Sequence, residues 1–473
     1  MERKLLRIGE ELRDGPDVET VVSPYDGAAV GEVVVGGAKD MDDAIEVASR
    51  GFASVRKLPT HARAAIAEKT SQLIRENADA LAELMARESG KPIRWCRGEV
   101  GRAQVTFALG AAEAKTRGGE VMPIDLSEAG EGRLCLHSRV PRGPVAAISP
   151  FNFPLNLIAH KLSPACAVGT TTVLKPPPQC PLTGYRLAEL MAEAGLPPAA
   201  LSVLHCAPEV AQRMVEDDRM AVLSFTGSDK VGWKLKALAG KKQVMLELGG
   251  NAPCILDRGT NLDAAMPRLM VGAWAHAGQI CIKAQRVLVH VDDRDAFLSR
   301  FVAETRALKV GNPLDEQTWV GPLIDAGAAE RVRAWVAEAV DAGAKRLCGG
   351  GGKGTIVEPT VLTEVAADAK VCTEEVFGPV TVVETYEDFD DALARCNASR
   401  FGLQAGVFTT DLGKALRAFE LLDYGGVMIN DVPTFRVDNF PYGGTKDSGF
   451  GREGVKFAME EMTEPKVLVV RGL

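Results

Sequence analysis

The chain has 473 residues, more than one small hydrophobic core holds, so we expect two or three domains. Hydrophobic residues make up 46% and charged residues 25% of the chain, an ordinary globular composition that excludes a disordered protein. The formal net charge of −8 argues against a general nucleic-acid binder and against a protein held on anionic membranes.

The ten cysteines include no CxxC pair, and the six histidines include no HExxH motif. In a chain of this size, the pattern indicates a reducing compartment and argues against a disulfide scaffold or a zinc site. The start, Met1–Lys4, lacks the apolar core of a signal peptide, and no apolar run approaches the ~20 residues that span a bilayer. We therefore predict a soluble cytoplasmic protein without metal, nucleic-acid or membrane partners.

The predicted elements begin with a helical pattern from Asp40 to about Gly118. After a strand at Leu134–Val140, short apolar strands alternate with helices. The first half contains strand Val145–Ile148, helix Leu155–Ala167, strand Thr171–Leu174, helix Thr183–Ala194, strand Leu201–Leu204, helix Pro208–Glu216 and strand Ala221–Phe225. The second half contains helix Leu262–His276, strand Val287–Val291 and helices Asp295–Ala307 and Ala328–Ala342. This alternation predicts an α/β fold with mostly parallel sheets in two halves.

Two stretches do not fit the alternation. Gly118–Arg142 has acidic and Gly-containing turns around an alternating strand, and the tail Thr463–Leu473 contains a terminal strand at Lys466–Val470. They form either a separate β appendage or edge strands of the nearest domain.

Two strand ends carry candidate ligands for a phosphorylated cofactor. One strand runs into Lys175 and is stopped by three prolines, so Lys175 projects at a carboxyl end, where α/β sheets bind ligands. The strand Ala221–Phe225 runs into Gly227, Ser228 and the start of a helix. A helix N-terminus of this kind suits a pyrophosphate.

Two further segments carry polar groups with more than one interpretation. Asn152 lies between Pro150 and Pro154, where its amide can face a developing oxyanion or form an Asx turn that caps the next helix. Farther along the chain, Glu375 stands near Phe377. A carboxylate beside an aromatic ring suits a ribose and a flat heterocycle.

The segment that ends in Cys281 lies between a predicted helix and a predicted strand, directly after the flexible Gly278. A cysteine in this position can face a cleft, although free cysteines are also common as small buried hydrophobic residues. Glu247 lies upstream in a Gly-rich segment and can supply the base that a thiol nucleophile needs.

Taken in order, these segments resemble the aldehyde dehydrogenase superfamily. The matching segments are Pro150–Pro154, Leu174–Pro176, Phe225–Ser228 with Gly232, Glu247–Gly250, Gly278–Cys281, Glu375–Pro379 and Pro441–Gly454. The resemblance is closest to the branch of lactaldehyde, non-phosphorylating glyceraldehyde-3-phosphate and phosphonoacetaldehyde dehydrogenases. It rests there on Asn430–Phe435, Asp438–Asn439 and Lys456–Thr463.

The resemblance implies catalytic roles for three residues. Cys281 would attack the aldehyde carbon, and the Asn152 side chain with the Cys281 backbone N–H would hold the thiohemiacetal oxyanion. Hydride transfer would leave a thioester, and Glu247 would activate the water that hydrolyses it. A CoA-acylating member of the superfamily would lack such a glutamate, and a non-enzymatic structural protein would need none of these groups.

The resemblance also implies a nicotinamide cofactor. Lys175 would bind the adenosine ribose, Gly227 and Ser228 the pyrophosphate, Glu375 the nicotinamide ribose, and Phe377 would pack beside the nicotinamide. NAD-preferring members commonly carry Glu three residues after the lysine, and this chain has Pro178 there. Pro178 has no carboxylate that could repel a 2′-phosphate. We therefore favour NADP, with use of both cofactors as the alternative.

Three basic residues are candidates for the substrate site: Arg102, His160 and Arg436. They suggest a small anionic or hydroxylated aldehyde, with succinate-semialdehyde or broad-specificity oxidation as the alternative. Asn152, Asn156 and His160 follow at helical spacing, which would place them on one face toward the site. Arg102 as a solvated helix residue and His160 as a packing residue remain alternatives.

The resemblance finally implies a domain plan. A Rossmann-like cofactor domain would comprise residues 1–117 and 143–246, and an α/β catalytic domain residues 247–455. A small β oligomerisation flap would comprise residues 118–142 and 456–473. The flap implies a homo-oligomer, either a dimer or a tetramer.

Overall fold

The computed structural model describes residues 2–116 and 118–472. In chain order, its strands are β1 (Arg3–Lys4), β2 (Leu6–Ile8), β3 (Glu11–Arg13), β4 (Val18–Val22), β5 (Ala29–Val34), β6 (Glu120–Met122), β7 (Arg133–Pro141), β8 (Val145–Ile148), β9 (Thr172–Lys175), β10 (Leu201–Val203), β11 (Val222–Thr226), β12 (Gln243–Glu247), β13 (Ala252–Leu256), β14 (Ala284–His290), β15 (Lys345–Cys348), β16 (Thr360–Thr363), β17 (Val380–Tyr386), β18 (Phe401–Gly402), β19 (Gln404–Phe408), β20 (Gly426–Ile429), β21 (Thr445–Lys446), β22 (Gly449–Phe450) and β23 (Thr463–Arg471).

Its α-helices are α1 (Ala38–Val55), α2 (Thr60–Glu76), α3 (Ala78–Ser89), α4 (Ile93–Thr116), α5 (Asn156–Val168), α6 (Leu182–Glu193), α7 (Pro208–Glu216), α8 (Asp229–Leu238), α9 (Leu262–Trp274), α10 (Arg294–Arg306), α11 (Ala326–Asp341), α12 (Lys370–Thr373), α13 (Phe389–Asn397), α14 (Leu412–Leu421) and α15 (Val455–Glu461). None of the described helices combines the length and apolarity needed to cross a membrane.

The larger sheet has the strand order β22-β12-β11-β8-β9-β10-β2-β3. From β12 to β10 the neighbouring strands run parallel, and α5 to α8 connect them along the chain. The predicted βαβ alternation is therefore confirmed, and the observed boundaries lie within one position of the predicted ones. This sheet is the Rossmann-like part of the fold.

A second sheet has the order β15-β16-β17-β14-β13-β19-β20 and is parallel except for β15. The helix predicted to reach His276 ends at Trp274 instead, because His276 and Ala277 have left-handed backbone conformations with φ of 50° and 53°. This change of direction ends α9 and leads the chain into the loop that precedes the amino end of β14.

The two stretches outside the alternation pair with each other. β23 runs antiparallel to β7 over its full length, with Lys466 opposite Ser138, and β6 pairs with the other edge of β7. The three strands form a sheet separate from the two larger ones. Of the two alternatives, the structure therefore has the β appendage and not additional edge strands.

Helix α5 is buried along its whole length and carries the segment before it into the molecule. Its N-terminus is held by Glu99, whose Oε1 accepts the backbone N–H groups of Leu155 at 2.8 Å and Asn156 at 3.0 Å. Glu99 is itself paired with the buried Lys91 at 2.6 Å. Because a charged pair satisfies the end of α5, the loop of residues 149–155 has a fixed entry into the helix.

Candidate active site

A cavity of about 810 Å³ opens where the carboxyl ends of β8, β9, β11 and β12 face loops from the second sheet. Parallel α/β sheets bind ligands at this edge. The cavity wall includes nearly all of the predicted site residues, namely Cys281, Glu247, Asn152, Lys175, Gly227, Ser228, Glu375, Phe377, Arg102 and Arg436. His160 does not belong to the wall.

Cys281 lies in the loop between α9 and β14, and its Sγ is 3.1 Å from the Tyr442 hydroxyl. Burial raises the pKa of the Cys281 thiol to about 12, and the hydrogen bond with Tyr442 opposes that shift. The loop is tight: a Cβ on Gly278, which has φ of 69°, would lie 2.3 Å from the Gly378 carbonyl oxygen. Glycine is therefore required three positions before the thiol.

The Asn152 side chain does not form the Asx turn that was the alternative interpretation. Its Nδ2 donates to the Gln279 carbonyl oxygen at 3.0 Å, and Glu99 caps α5 instead. Asn152 Oδ1 finds no hydrogen-bond partner in the described part of the chain. One N–H of the amide is used by Gln279, and the second can serve another acceptor in the cavity wall.

Glu247 ends β12 and is only 4% exposed. Burial raises its pKa well above the usual range, and the neighbouring Glu453 carboxylate adds to the shift. Burial acts in the same direction on Glu453, but Lys161 and Arg436 overcome it and hold the pKa of Glu453 at about 2. The two pKa values are therefore shifted in opposite directions, toward the ionised form of Glu453 and toward the protonated form of Glu247.

Lys161 and Glu453 were not predicted from the sequence. Lys161 Nζ donates to Ser224 Oγ at 3.0 Å and Thr226 Oγ1 at 2.8 Å, and lies 3.3 Å from Glu453 Oε1. A lysine inside the apolar helix pattern of α5 was the available signal, since lysine is almost never fully buried without a partner.

Lys175 ends β9 and lines the cavity. Its side chain is buried, and burial lowers its pKa. Its Nζ lies 3.3 Å from the Pro176 carbonyl oxygen, and no carboxylate within the described residues forms an ion pair with it. Glu209, in the first turn of α7, is exposed and lines the same cavity. The sequence analysis missed this carboxylate.

The middle of the cavity contains the N-terminus of α8. Ser228 is the N-cap residue of this helix, and Gly227 precedes it with its N–H bonded to the Glu247 carbonyl oxygen at 3.0 Å. The ten-residue helix presents its positive end to the cavity, as the predicted pyrophosphate site requires.

Glu375 and Phe377 occupy the end of the cavity near Cys281. Glu375 Oε1 accepts the Gly250 backbone N–H at 3.0 Å, and burial raises the pKa of the carboxyl group to about 7. A Cβ on Gly249 would lie 2.6 Å from Glu375 Oε2, so glycine permits this close approach. The Phe377 ring packs edge-on against Phe151, with 5.8 Å between the ring centroids.

Two of the three predicted substrate residues, Arg102 and His160, contact Asp438, which lies behind the cavity wall. Its carboxylate accepts two hydrogen bonds from Arg102, at 2.7 and 3.2 Å, and one from Asn156 at 3.1 Å. His160 Nε2 lies 2.8 Å from the same carboxylate. His160 is therefore one layer away from the cavity. Asn152 also precedes the first turn of α5, so the expected single helical face for Asn152, Asn156 and His160 does not form.

Arg436 faces the cavity from the opposite side. Its guanidinium lies 3.6 Å from the centroid of the Tyr442 ring, and Nη2 is 3.2 Å from Glu453 Oε2. Its Nε has no hydrogen-bond partner among residues 2–116 and 118–472. One donor of this buried cation is thus available to a ligand.

The cavity wall combines three kinds of polar group. Lys175, the positive end of α8 and the carboxyl group of Glu375 all line it together with Cys281. These donor and acceptor types match the phosphates and riboses of NAD(P). Groups of three or more metal-ligating side chains were not found in the described chain.

Comparison with known proteins supports the same assignment. A sequence model described as "Aldehyde dehydrogenase family" matches residues 13–468. The chain is 42% identical over 451 residues to a 3-sulfolactaldehyde dehydrogenase of Priestia aryabhattai, which covers 95% of this chain and 94% of that protein.

Two solved structures are also similar. Aldehyde dehydrogenase 21 from Physcomitrella patens, in complex with the reaction product succinate, has a TM-score of 0.97 and 43% identity over 99% of this chain and 98% of that one. Glyceraldehyde-3-phosphate dehydrogenase GapN from Methanocaldococcus jannaschii, complexed with NADP, has a TM-score of 0.92 and 38% identity over 96% and 99% of the two chains.

The protonated Glu247 makes stability depend on pH. Since its folded-state pKa is raised above the usual 4.5, its contribution is fully present below pH 4.5 and is lost as pH rises toward the folded-state value. Glu247→Gln should therefore unfold at a higher temperature than the unsubstituted protein at pH 8 and at nearly the same temperature near pH 4.5. The exposed Glu420→Gln is the matched control, and a Glu247→Gln melting difference that does not change with pH would contradict the assignment.

Proposed function

The chain belongs to the aldehyde dehydrogenase family, and we propose that it oxidises a small aldehyde bearing an anionic group to the carboxylate, with NAD(P) as the oxidant. The observation that carries the choice of substrate is the orientation of two ion pairs. Arg102 and Arg436 line the cavity, whereas their carboxylate partners Asp438 and Glu453 lie behind its wall. An aldehyde that enters the cavity therefore meets the positive end of each pair.

The proposed reaction begins at Cys281. Its thiolate attacks the aldehyde carbon, the S–C bond forms, and the carbonyl electron pair moves to oxygen. The second N–H of Asn152 and the Cys281 backbone N–H would hold that oxyanion. NAD(P), when bound, accepts the hydride from the former aldehyde carbon. A thioester on Cys281 remains.

Glu247 is proposed as the base for hydrolysis of the thioester. It would remove a proton from water as the water oxygen attacks the thioester carbon, and the thiolate of Cys281 would leave. The raised pKa of Glu247 makes its ionised form a strong base, and the permanent charge of Glu453 maintains that shift. The presence of Glu247 also disfavours a CoA-acylating enzyme, in which a thiol and not water releases the acyl group.

The charges at the substrate end support an anion and do not distinguish one anion from another. Arg102 pairs with Asp438, whereas Arg436 and Lys161 both pair with the single carboxylate of Glu453. Two cations therefore share one anion on the Glu453 side. A carboxylate or sulfonate on the substrate would compensate this uneven pairing, so succinate semialdehyde remains within the proposed class.

We favour NADP over NAD because Lys175 forms no ion pair with a carboxylate among the described residues and because Pro178 stands where NAD-preferring members commonly carry Glu. Glu209 opposes this preference, since an exposed carboxylate at the adenosine end repels a 2′-phosphate. The two groups together favour use of both cofactors with a moderate preference for NADP.

The separate three-stranded sheet is proposed as an oligomerisation flap for a second copy of the chain. Leu126 is 88% exposed, and Val121, Val467 and Leu468 are also exposed on this sheet and its connections. Apolar residues in a group of this kind indicate an interface. A dimer or tetramer is expected in light scattering, and a single-chain mass would contradict the proposal.

The ten free cysteines agree with a reducing cytoplasm as the location.

The function is tested by NADPH formation with short aldehydes that carry a carboxylate, a sulfonate, a phosphate or only a hydroxyl. Cys281→Ala should abolish turnover, because no other group forms the thioester. Cys348→Ala, a partly exposed cysteine outside the cavity, is the control and should keep full activity. Activity that persists in Cys281→Ala, or that requires added CoA, would contradict the mechanism.

The anion site is tested by Arg436→Gln and Arg102→Leu. Each should lower kcat/KM for a charged aldehyde by about 10–100-fold, because a charge-assisted hydrogen bond contributes roughly 1.5–3 kcal/mol. A neutral aldehyde of similar size should be affected much less in Arg102→Leu, and this variant decides the test, because Arg436 also contacts Glu453 and the Tyr442 ring. Arg268→Leu removes a bidentate pair with Asp431 outside the cavity and serves as the control. Equal losses on both aldehydes would exclude the anion site.

Cofactor choice is tested by binding titrations of NADP and NAD in the absence of aldehyde. Lys175→Met should weaken NADP binding more than NAD binding, and Glu209→Gln should strengthen NADP binding selectively, because charge at the 2′-phosphate is the difference between the ligands. Glu193→Gln, exposed at the end of α6, is the control. Much tighter binding of NAD than of NADP by the unsubstituted protein would overturn the preference.

A further inference from the structure

Tyr442 is the one cavity-wall residue whose side chain is in hydrogen-bond contact with Cys281 Sγ in the described structure, at 3.1 Å. The tyrosine lies in the segment Pro441–Gly454 and is 2% exposed. Its backbone is fixed by two bonds with Glu453, Tyr442 N to Glu453 O at 3.0 Å and the reverse bond at 2.7 Å. The hydroxyl is thus placed by backbone pairing and not by a flexible loop.

The ring of Tyr442 is fixed as well. The Arg436 guanidinium covers one face at 3.6 Å, and the Phe440 ring centroid lies 6.5 Å away. Arg436 is in turn paired with Glu453, the residue that binds the Tyr442 backbone. Rotation of the hydroxyl away from Sγ would require this stack to separate.

The direction of the hydrogen bond follows from the protons available. Burial raises the pKa of Tyr442 well above its usual 10, so the phenol keeps its proton near neutral pH. When Cys281 ionises, its sulfur has no proton to donate. The contact can then persist only with the tyrosine as donor and the thiolate as acceptor.

We propose that the Tyr442 hydroxyl is a catalytic group that stabilises the Cys281 thiolate by donating a hydrogen bond to it. The hydroxyl keeps its proton throughout, and no proton or group transfer is assigned to it. The assignment rests on the proposed role of Cys281 as the nucleophile. The bond offsets part of the effect of burial, which opposes ionisation of the Cys281 thiol.

Tyr442→Phe tests the proposal because it removes only the hydroxyl and keeps the ring under Arg436. The measurement is the rate of Cys281 alkylation by iodoacetamide against pH, followed on the Cys281 peptide by mass spectrometry. The loss of a hydrogen bond to a charged group should lower the alkylation rate at pH 8 by about 10–100-fold and move its pH midpoint upward. The kcat/KM for the aldehyde should fall by a similar factor.

Tyr424→Phe is the matched control, because Tyr424 is also buried and donates its hydroxyl to the Cys396 carbonyl oxygen at 2.9 Å. It should leave the alkylation profile unchanged. An unchanged profile in Tyr442→Phe would overturn the proposal, since a packing role of the ring would not move the pH midpoint.

A second measurement does not depend on how well the variant folds. Replacing all five tyrosines by 3-fluorotyrosine gives more acidic phenols, which donate more strongly, so the pH midpoint for Cys281 alkylation should shift downward. The absence of a downward shift would contradict the donor role.

Cys281→Ala separates the role of Tyr442 from the proposed function. Activity in Cys281→Ala contradicts the proposed function. If Cys281→Ala is inactive and the pH profile of Cys281 alkylation is unchanged in Tyr442→Phe, only the role of Tyr442 is contradicted.

Discussion

The ionised Glu453 carboxylate is the group on which the other charges of the site depend. It is buried, and a buried carboxylate is tolerated only when cations and hydrogen bonds compensate the lost solvation. Lys161 and Arg436 supply that compensation at 3.3 and 3.2 Å. The charge of Glu453 adds to the effect of burial, and together they raise the pKa of the neighbouring Glu247. Because Arg436 pairs with Glu453, its guanidinium lies over the Tyr442 ring. The proposed base, the substrate cation and the group beside the thiol therefore share one electrostatic network.

Asp438 repeats this arrangement at the other side of the substrate end. It lies behind the wall and binds Arg102, Asn156 and His160, so the pKa of its carboxyl group is held far below the usual range despite burial. In both cases the cation faces the cavity and the carboxylate lies behind it. The protein folds with its buried charges paired, and a ligand still meets an outward positive charge. Because each arginine is already paired, its attraction for an anionic ligand is limited. This suits a substrate that leaves as a more negatively charged product.

The sequence predicted the architecture more completely than the substrate site. From Val145 to Phe225, the alternation of apolar strands and helices predicted boundaries within one position, because periodicity follows burial. In the second half the differences reach three positions, as for the strand predicted at Val287–Val291 and observed at Ala284–His290. The residues predicted to bind the cofactor all lie in the cavity wall, since strand ends and helix starts are local features. His160 was a candidate because of the family resemblance and because helical spacing was extended back to Asn152, which lies before the helix. The contacts of Lys161 with Ser224 and Glu453 and of Tyr442 with Cys281 join residues 63 or more positions apart, so the sequence did not predict them.

The loop before Cys281 shows how such distant contacts place a nucleophile. His276 and Ala277 have left-handed conformations, which cost roughly 1–3 kcal/mol each for residues with a Cβ. Local preference therefore opposes this turn, and long-range contacts must hold it. The Gln279 side chain accepts the Ile324 N–H at 2.9 Å, and its carbonyl oxygen accepts Asn152 Nδ2 at 3.0 Å. The residue that would bind the oxyanion is thus bonded to the loop that carries the thiol. A displacement of that loop would move Asn152 with it, so the distance between nucleophile and oxyanion donor is preserved by one hydrogen bond.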